Sequence, residues 1–156
     1  MNTTPIKVLF VCVKKGVRAA IAKAIVEQQS NGMIQATCSG FEPGEVPLAI
    51  LDELSSVLDV PIKTESKTVF EYKRTNENFD YVITLCDQIS HEQCHVFVDC
   101  VKVICSHIPN RLSWTIPNLG AALELSGNER TMFVKEVVDQ ITFEVAQLVA
   151  NTQIKS

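Results

Sequence analysis

Apolar residues along this chain form short continuous runs that alternate with longer stripes at helical spacing. The run Ile6–Cys12 is β-rich and apolar at almost every position, which is typical of a strand buried on both faces. Apolar side chains then recur at helical spacing from Val17 to Ile25. The pair Asn31-Gly32 is a helix-ending sequence. The start of the chain therefore predicts a buried strand followed by an amphipathic helix.

The same alternation continues to the end of the chain. The further predicted strands are Met33–Ser39, ended by Gly40, then Phe79–Cys86 and Val101–Ile108. The further predicted helices are Val46–Leu58, a short one at Ser66–Arg74, and a long last helix that starts at the capping-box sequence Ser126–Glu129. This order predicts an α/β fold with a single domain over residues 1–156 and a central four-stranded parallel sheet with helices on both faces. Ligands of such sheets bind at the carboxyl ends of the strands, so the loop after the first strand is the first candidate site.

Composition narrows the function classes. Hydrophobic residues make up 46% and charged residues 21% of the 156 positions, which is ordinary for one soluble globular domain. The net charge of -4 argues against a general binder of nucleic acid or of anionic membranes. The apolar run Ile6–Val13 is too short to span a bilayer and has no signal-peptide features, so the expected compartment is the cytoplasm. In that reducing compartment we expect the six cysteines to be buried, catalytic or metal-binding rather than a disulfide framework.

The loop Cys12–Arg18 carries the clearest chemistry. Because it joins a buried strand to a helix, backbone amides and the positive end of the helix dipole should converge there and form a nest for an anion. Arg18 adds a planar cation that matches two oxygens of a tetrahedral anion. A thiol at Cys12 ionises more easily in such a field, since the thiolate is itself an anion. We therefore predict Cys12 as the nucleophile, with Val13, Lys14, Lys15, Gly16, Val17 and Arg18 as the oxyanion-binding residues.

An ordered series of motifs resembles one known superfamily. Val8–Cys12, followed by five residues and Arg18, resembles the phosphate loop of low-molecular-weight protein tyrosine phosphatases and of the related thioredoxin-coupled arsenate reductases. Cys38–Gly40 sits where that family has a Ser-Ala-Gly turn. Phe79–Asp87 resembles the arsenate-reductase strand that ends in a second catalytic cysteine, and Cys94 follows one residue later than the usual spacing of the third. The resemblance covers almost the whole chain and implies the low-molecular-weight phosphatase fold.

The arsenate-reductase resemblance implies a thiol enzyme with three catalytic cysteines. Cys12 would attack an arsenate held by the loop and Arg18. Cys86 would attack the Cys12 adduct, releasing arsenite, and Cys94 would then leave a Cys86–Cys94 disulfide for a thioredoxin-type reductant. The polar segment Asp87–Gln93 would provide the flexibility for this exchange. The implied partners are a small oxyanion (arsenate or phosphate) or a phosphoester, and thioredoxin; no further cofactor is expected.

The chain departs from the resembled families at the loop and at the general acid. Lys14 and Lys15 stand where the loop usually has Gly-Asn, and Ala19 replaces a hydroxyl residue, which removes one donor to the thiolate. Arg111–Trp114 resembles the Arg-Leu-His-Trp segment before the general-acid loop, but the family's Asp-Pro falls on Asn118-Leu119. An amide cannot donate a proton, and the loss of general acid help typically costs ~10²–10⁴-fold. We therefore expect Asn118 to impair phosphoester hydrolysis more than arsenate reduction.

The residues leave other functions open beside arsenate reductase. One is a phosphatase for phosphotyrosine or small phosphoesters, and another is a catalytically weakened oxyanion-binding protein of the same fold. A metal site is a further alternative, although the spacing of its candidates matches no structural zinc site, so no metal is expected. Those candidates are Cys86, His91, Cys94, His95, Cys100, Cys105 and His107. The leading expectation is an enzyme, either an arsenate reductase or a phosphatase.

Overall fold

A computed structural model of the chain describes residues 5–14, 17–42, 48–58, 68–75, 77–87 and 94–153. The strands are β1 (Ile6–Lys14), β2 (Ile34–Glu42), β3 (Tyr81–Cys86) and β4 (Asn110–Thr115). The helices are α1 (Val17–Gln29), α2 (Leu48–Val57), α3 (Val69–Thr75), α4 (Cys94–Ile104) and α5 (Gly127–Gln153), with a 3₁₀ helix at Leu119–Glu124 before α5.

The four strands form one parallel sheet in the order β2-β1-β3-β4. Cys12 on β1 pairs with Gly40 on one side and with Leu85 on the other, and Leu85 pairs with Trp114. The carboxyl ends of all four strands therefore meet at one edge of the sheet. The predicted α/β fold with a four-stranded parallel sheet is confirmed.

Two hydrophobic cores cover the two faces of this sheet. Cys12 and Leu85 belong to the core that α1, α2 and α5 help to form, whereas Val11 and Cys86 belong to the core on the side of α3 and α4. Side chains alternate between the faces along a strand, and the pairing of Cys12 with Leu85 fixes which residues share a face. Cys12 and Cys86 consequently lie on opposite faces of the sheet.

The predicted fourth strand, Val101–Ile108, is wrong. Residues from Cys94 to Ile104 form α4, with Phe97 and Val101 buried one helical turn apart, and the strand follows at Asn110–Thr115. β4 lies at the edge of the sheet, and Trp114 is its only buried residue. Because an exposed edge strand lacks the continuous apolar run of a central parallel strand, the prediction fell on the more apolar segment before it.

The ends of the first two strands also differ from the prediction. β1 runs to Lys14 rather than Cys12, and β2 passes through Gly40 to Glu42, because the two strands stay paired as far as Lys14 and Glu42. The predicted end of α1 is confirmed. Asn31 (φ 52°) and Gly32 (φ 82°) both adopt the left-handed conformation that stops a helix.

The remaining predicted helices are present where the structure describes them. α2 and α3 match the predicted helices, whose first residues, 46–47 and 66–67, lie outside the described ranges. α5 begins at Gly127, immediately after the predicted cap Ser126. Within the described ranges, no helix combines the length and the apolar character that crossing a membrane requires.

Candidate active site

The Cys12 sulfur lies where α1 begins, at the carboxyl edge of the sheet. Since α1 starts at Val17, the N–H of Ala19 is among the first donors of the helix, which have no acceptor within it. This N–H donates a hydrogen bond to the Cys12 Sγ, with an N···S distance of 2.9 Å. The donated N–H and the positive end of α1 both direct partial positive charge at the sulfur. The backbone of Ala19 thus donates to the Cys12 sulfur, although the side chain at position 19 has no hydroxyl, and the role of Cys12 as a nucleophile stays a prediction.

Arg18 connects the first turn of α1 to the segment that follows β4. The side chain is 4% exposed, and its Nη1 donates to the backbone carbonyl of Ile116 at 2.9 Å. The Ile116 N–H donates in turn to the carbonyl of Cys86 at 3.0 Å. An arginine keeps its charge in proteins, so this contact fixes a buried cation at the carboxyl edge. That edge is where the sequence places the oxyanion.

The structure describes the predicted oxyanion loop only in part. Val13 and Lys14 form the end of β1, and Val17 and Arg18 form the first turn of α1. Lys15 and Gly16 lie outside the described residues. The ring of loop amides around an anion therefore stays a prediction.

Access to Cys12 is restricted in this structure. The residue is 0% exposed and belongs to the hydrophobic core on its face of the sheet. A nucleophile has to be reached by its substrate, so any chemistry at Cys12 requires that its surroundings open. The rate of Cys12 alkylation by a small reagent depends on that opening as well as on the thiolate population.

Cys86 and Cys94 form a disulfide, with their Cα atoms 5.9 Å apart. Cys86 is the last residue of β3 and Cys94 the first residue of α4, so the bond ties the end of the strand to the start of the helix. Cys86 is buried and Cys94 is half-buried. Of the predicted flexible segment Asp87–Gln93, residues 88–93 lie outside the described ranges. The structure therefore joins the two cysteines that the arsenate-reductase resemblance pairs in the final disulfide.

In this disulfide-bonded form Cys86 is turned away from Cys12. The β1–β3 register places Leu85 beside Cys12, and Cys86 points into the core on the other face. A direct Cys12–Cys86 bond requires the chain after Leu85 to rotate. The three predicted cysteines all lie at the carboxyl edge of the sheet, where Cys86 and Cys94 are bonded to each other and Cys12 lies on the face opposite Cys86.

Asn118, the substituted general-acid position, begins the 3₁₀ helix. Its side-chain Oδ1 accepts a hydrogen bond from the Gly120 N–H at 2.9 Å, and its own backbone N–H donates to Oδ2 of Asp87 at 2.9 Å. The sequence analysis did not single out Asp87, whose carboxylate contacts the candidate position Asn118. The sequence does show a carboxylate directly after Cys86, but Asn118, which donates to this carboxylate, lies 31 residues further along the chain.

Cys105 is not suited to thiolate chemistry. Burial raises the pKa of the Cys105 thiol to about 11, against the opposing effect of the Lys73 charge. The residue is 3% exposed.

Among the residues that the structure describes, no group of three or more histidines, cysteines and carboxylates is placed to hold a metal ion. His91, one of the candidates for a metal site, lies outside the described ranges.

Comparisons with known proteins give one family. The model of the low molecular weight phosphotyrosine protein phosphatases matches residues 7–156. A search of curated proteins found no match. The similarity to solved structures described next lies at 15–21% identity, which shows a shared fold alone.

Three solved structures illustrate that similarity. An arsenate reductase from Archaeoglobus fulgidus DSM 4304 is 20% identical with a TM-score of 0.62, covering 92% of this chain and 98% of that chain. A thioredoxin-dependent arsenate reductase from Corynebacterium glutamicum is 21% identical with a TM-score of 0.61, covering 100% of this chain and 66% of that chain. A low molecular weight phosphotyrosine phosphatase from Vibrio cholerae O395 is 15% identical with a TM-score of 0.64, covering 97% of this chain and 99% of that chain.

Proposed function

Because the chain belongs to the low molecular weight phosphotyrosine protein phosphatase family, we propose that it is a thiol-dependent arsenate reductase on that fold, regenerated by a thioredoxin-type protein. The observation that supports this choice is the Cys86–Cys94 disulfide. Hydrolysis of a phosphoester needs no cysteine pair, whereas reduction of arsenate by thiols has to end in an oxidised pair. Of the three similar solved structures described above, two are arsenate reductases, one of them thioredoxin-dependent.

The first step takes place at Cys12. The Ala19 N–H and the start of α1 stabilise the thiolate, and Arg18 supplies the buried positive charge for an arsenate anion. The Cys12 thiolate sulfur bonds to arsenic, and one hydroxyl group of the arsenate takes up a proton and leaves as water. Since Cys12 is buried, this step includes an opening of the structure around the sulfur.

The second step moves the oxidation from Cys12 to the Cys86–Cys94 pair. The Cys86 thiolate attacks the Cys12 sulfur, and the arsenic leaves as arsenite with the electron pair of the S–As bond. Cys94 then attacks Cys86, which frees Cys12 and produces the disulfide present in this structure. Because Cys86 faces away from Cys12 in the disulfide-bonded form, the end of β3 rotates during each cycle.

In the last step, the reductant reduces the Cys86–Cys94 disulfide. Cys94 is half-buried at the start of α4, whereas Cys86 is buried, so Cys94 is the sulfur that a dithiol reductant reaches first. Regeneration of this kind requires a reducing compartment, which fits the expected cytoplasmic location.

The test is an arsenate-dependent assay with purified, reduced protein, thioredoxin, thioredoxin reductase and NADPH. We expect the wild type to consume NADPH and Cys12→Ser to be inactive. Cys94→Ser should release one arsenite per protein and stop as a Cys12–Cys86 disulfide, which peptide mass spectrometry identifies. Cys100→Ser is the matched control, because Cys100 is a free, half-buried cysteine outside the relay, and it should retain full activity.

The phosphatase and the oxyanion-binding protein predict different results. Hydrolysis of an aryl phosphate without reductant, in the absence of arsenate turnover, would refute the proposal in favour of a phosphatase. A rise in melting temperature with phosphate, but with neither activity, would indicate an oxyanion-binding protein.

A further inference from the structure

The Asp87 carboxylate lies against the backbone of Asn118 at the carboxyl edge of the sheet. Its Oδ2 accepts the Asn118 N–H at 2.9 Å, while the Asn118 side chain is used to cap the 3₁₀ helix. The amide of Asn118 has no proton to release, but the carboxyl group of Asp87 has one when protonated. Position 118 therefore has beside it an acidic group that comes from the residue after β3.

Asp87 lies at the carboxyl edge of the sheet, the edge that also holds Cys12. Leu85 pairs with Cys12 and shares its hydrophobic core, and Cys86 points to the other face. Asp87 is the first residue after β3, and its Oδ2 accepts the Asn118 N–H, so its carboxylate lies at the carboxyl edge where β1 ends and α1 begins. The side chain is half-buried.

Arg18 contacts the chain segment that contains Asn118. The Ile116 carbonyl that accepts the Arg18 Nη1 bond lies two residues before Asn118, and Asn118 is the residue that Asp87 contacts. The buried cation of Arg18 and the Asp87 carboxylate thus meet one short stretch of chain, residues 116–118. An oxyanion next to Cys12 and Arg18 would lie close to that stretch.

From this arrangement we propose that Asp87 is the proton donor of the reaction at Cys12; the inference rests on the proposed arsenate reductase function. As the Cys12 sulfur bonds to arsenic, an As–O bond breaks. The leaving hydroxyl group of the arsenate takes the proton of the Asp87 carboxyl group and departs as water. Asp87 is left as a carboxylate and regains its proton from solvent.

A purely structural role for Asp87 makes a different prediction. In that case Asp87 only holds residues 116–118 so that Ile116 can orient Arg18. Asp87→Asn separates the two roles, because the amide oxygen still accepts the Asn118 N–H but the group cannot release a proton. Asp87→Ala removes both the acceptor and the proton.

The experiment measures kcat and KM for arsenate in the thioredoxin-coupled assay. We expect Asp87→Asn to lower kcat by about 10²–10⁴-fold, with the KM within a few-fold of the wild type, and Asp87→Ala to be at least as impaired. Asp87→Glu keeps a carboxyl group and should be more active than Asp87→Asn. The matched control is Asp80→Asn, because the Asp80 Oδ2 accepts the Lys7 N–H at 2.9 Å at the opposite edge of the sheet. This control should keep the wild-type kcat.

The outcomes separate the two proposals. If Asp87→Asn keeps the wild-type kcat while Asp87→Ala loses it, Asp87 has a positioning role and is not the proton donor. An Asp87→Glu variant that is no more active than Asp87→Asn also overturns the proton donor. A wild-type protein that does not turn over arsenate overturns the proposed function, and the proton donor with it. Melting temperature and the stabilisation by phosphate, both expected to match the wild type in Asp87→Asn, show that a lower kcat is not caused by unfolding or by lost binding.

Discussion

The backbone N–H of Ala19 donates a hydrogen bond to the sulfur of Cys12 across 2.9 Å. The two residues are seven positions apart, and the turn between them joins β1 to α1. Because the donor belongs to the backbone of the first helical turn, it does not depend on the side chain at position 19. The chain thereby keeps one donor to the nucleophile at a position where the side-chain hydroxyl is absent.

Restoring a hydroxyl at position 19 is expected to make Cys12 more reactive. In Ala19→Ser the new O–H can donate to the same sulfur, and a hydrogen bond worth about 1 kcal/mol raises the thiolate population about fivefold. The rate of Cys12 alkylation by iodoacetamide near neutral pH measures this effect. Ala20→Ser, which adds the same group one residue along α1, is the control and should leave the rate unchanged. An equal rise in both variants would contradict the explanation.

Replacing Arg18 by lysine is expected to weaken oxyanion binding. Lysine keeps the charge but loses the planar fork and the fixed contact with the Ile116 carbonyl, so phosphate affinity should fall by at least about tenfold. The increase in melting temperature with added phosphate gives the affinity. Arg111→Lys is the matched control, because Arg111 also donates to a backbone carbonyl, that of Ile108, at 2.9 Å. Equal phosphate affinity in the wild type and in Arg18→Lys would show that the guanidinium group of Arg18 does not bind the oxyanion.

The Cys86–Cys94 disulfide is expected to stabilise the protein. The bond closes a short loop with a sequence separation of 8, for which the chain-entropy estimate is about 2–3 kcal/mol. The oxidised wild type should therefore melt at a higher temperature than the reduced wild type. Cys94→Ser cannot form the bond and should melt at the same temperature with and without a reductant. A reductant effect of equal size in this variant would show that another disulfide is responsible.

Cys105 is expected to remain a thiol in the native protein up to strongly alkaline pH. Its pKa of about 11 in the folded chain lies above the ordinary value of 9.0 because of burial. The contribution of Cys105 to stability is unaffected below pH 9 and is lost as the pH rises from 9 to 11, since the unfolded chain releases this proton first. The difference in free energy of unfolding between the wild type and Cys105→Val, measured across that range, should change in this direction. At pH 8, iodoacetamide should leave Cys105 unmodified in the native protein.

The sequence by itself determined the parts of the protein that depend on local patterns. The continuous apolar run of β1 and the helical stripe of α1 predicted a strand followed by a helix, and Asn31-Gly32 predicted the end of that helix. The same reasoning identified Cys12 and Arg18 as candidate residues of an oxyanion site. A turn from a strand into a helix brings backbone amides and the positive end of the helix dipole together, and this depends on the local sequence alone. These features need only the spacing of neighbouring residues.

Tertiary structure alone decided where distant segments meet. β4 escaped prediction because an edge strand needs few buried side chains, while α4 before it is more apolar. The sheet register decided that Cys86 faces away from Cys12, and a contact over 31 residues decided that Asp87 lies beside Asn118. The physical reason is that hydrophobic periodicity specifies which residues of one element share a face. The pairing of elements, by contrast, depends on the packing of the whole chain.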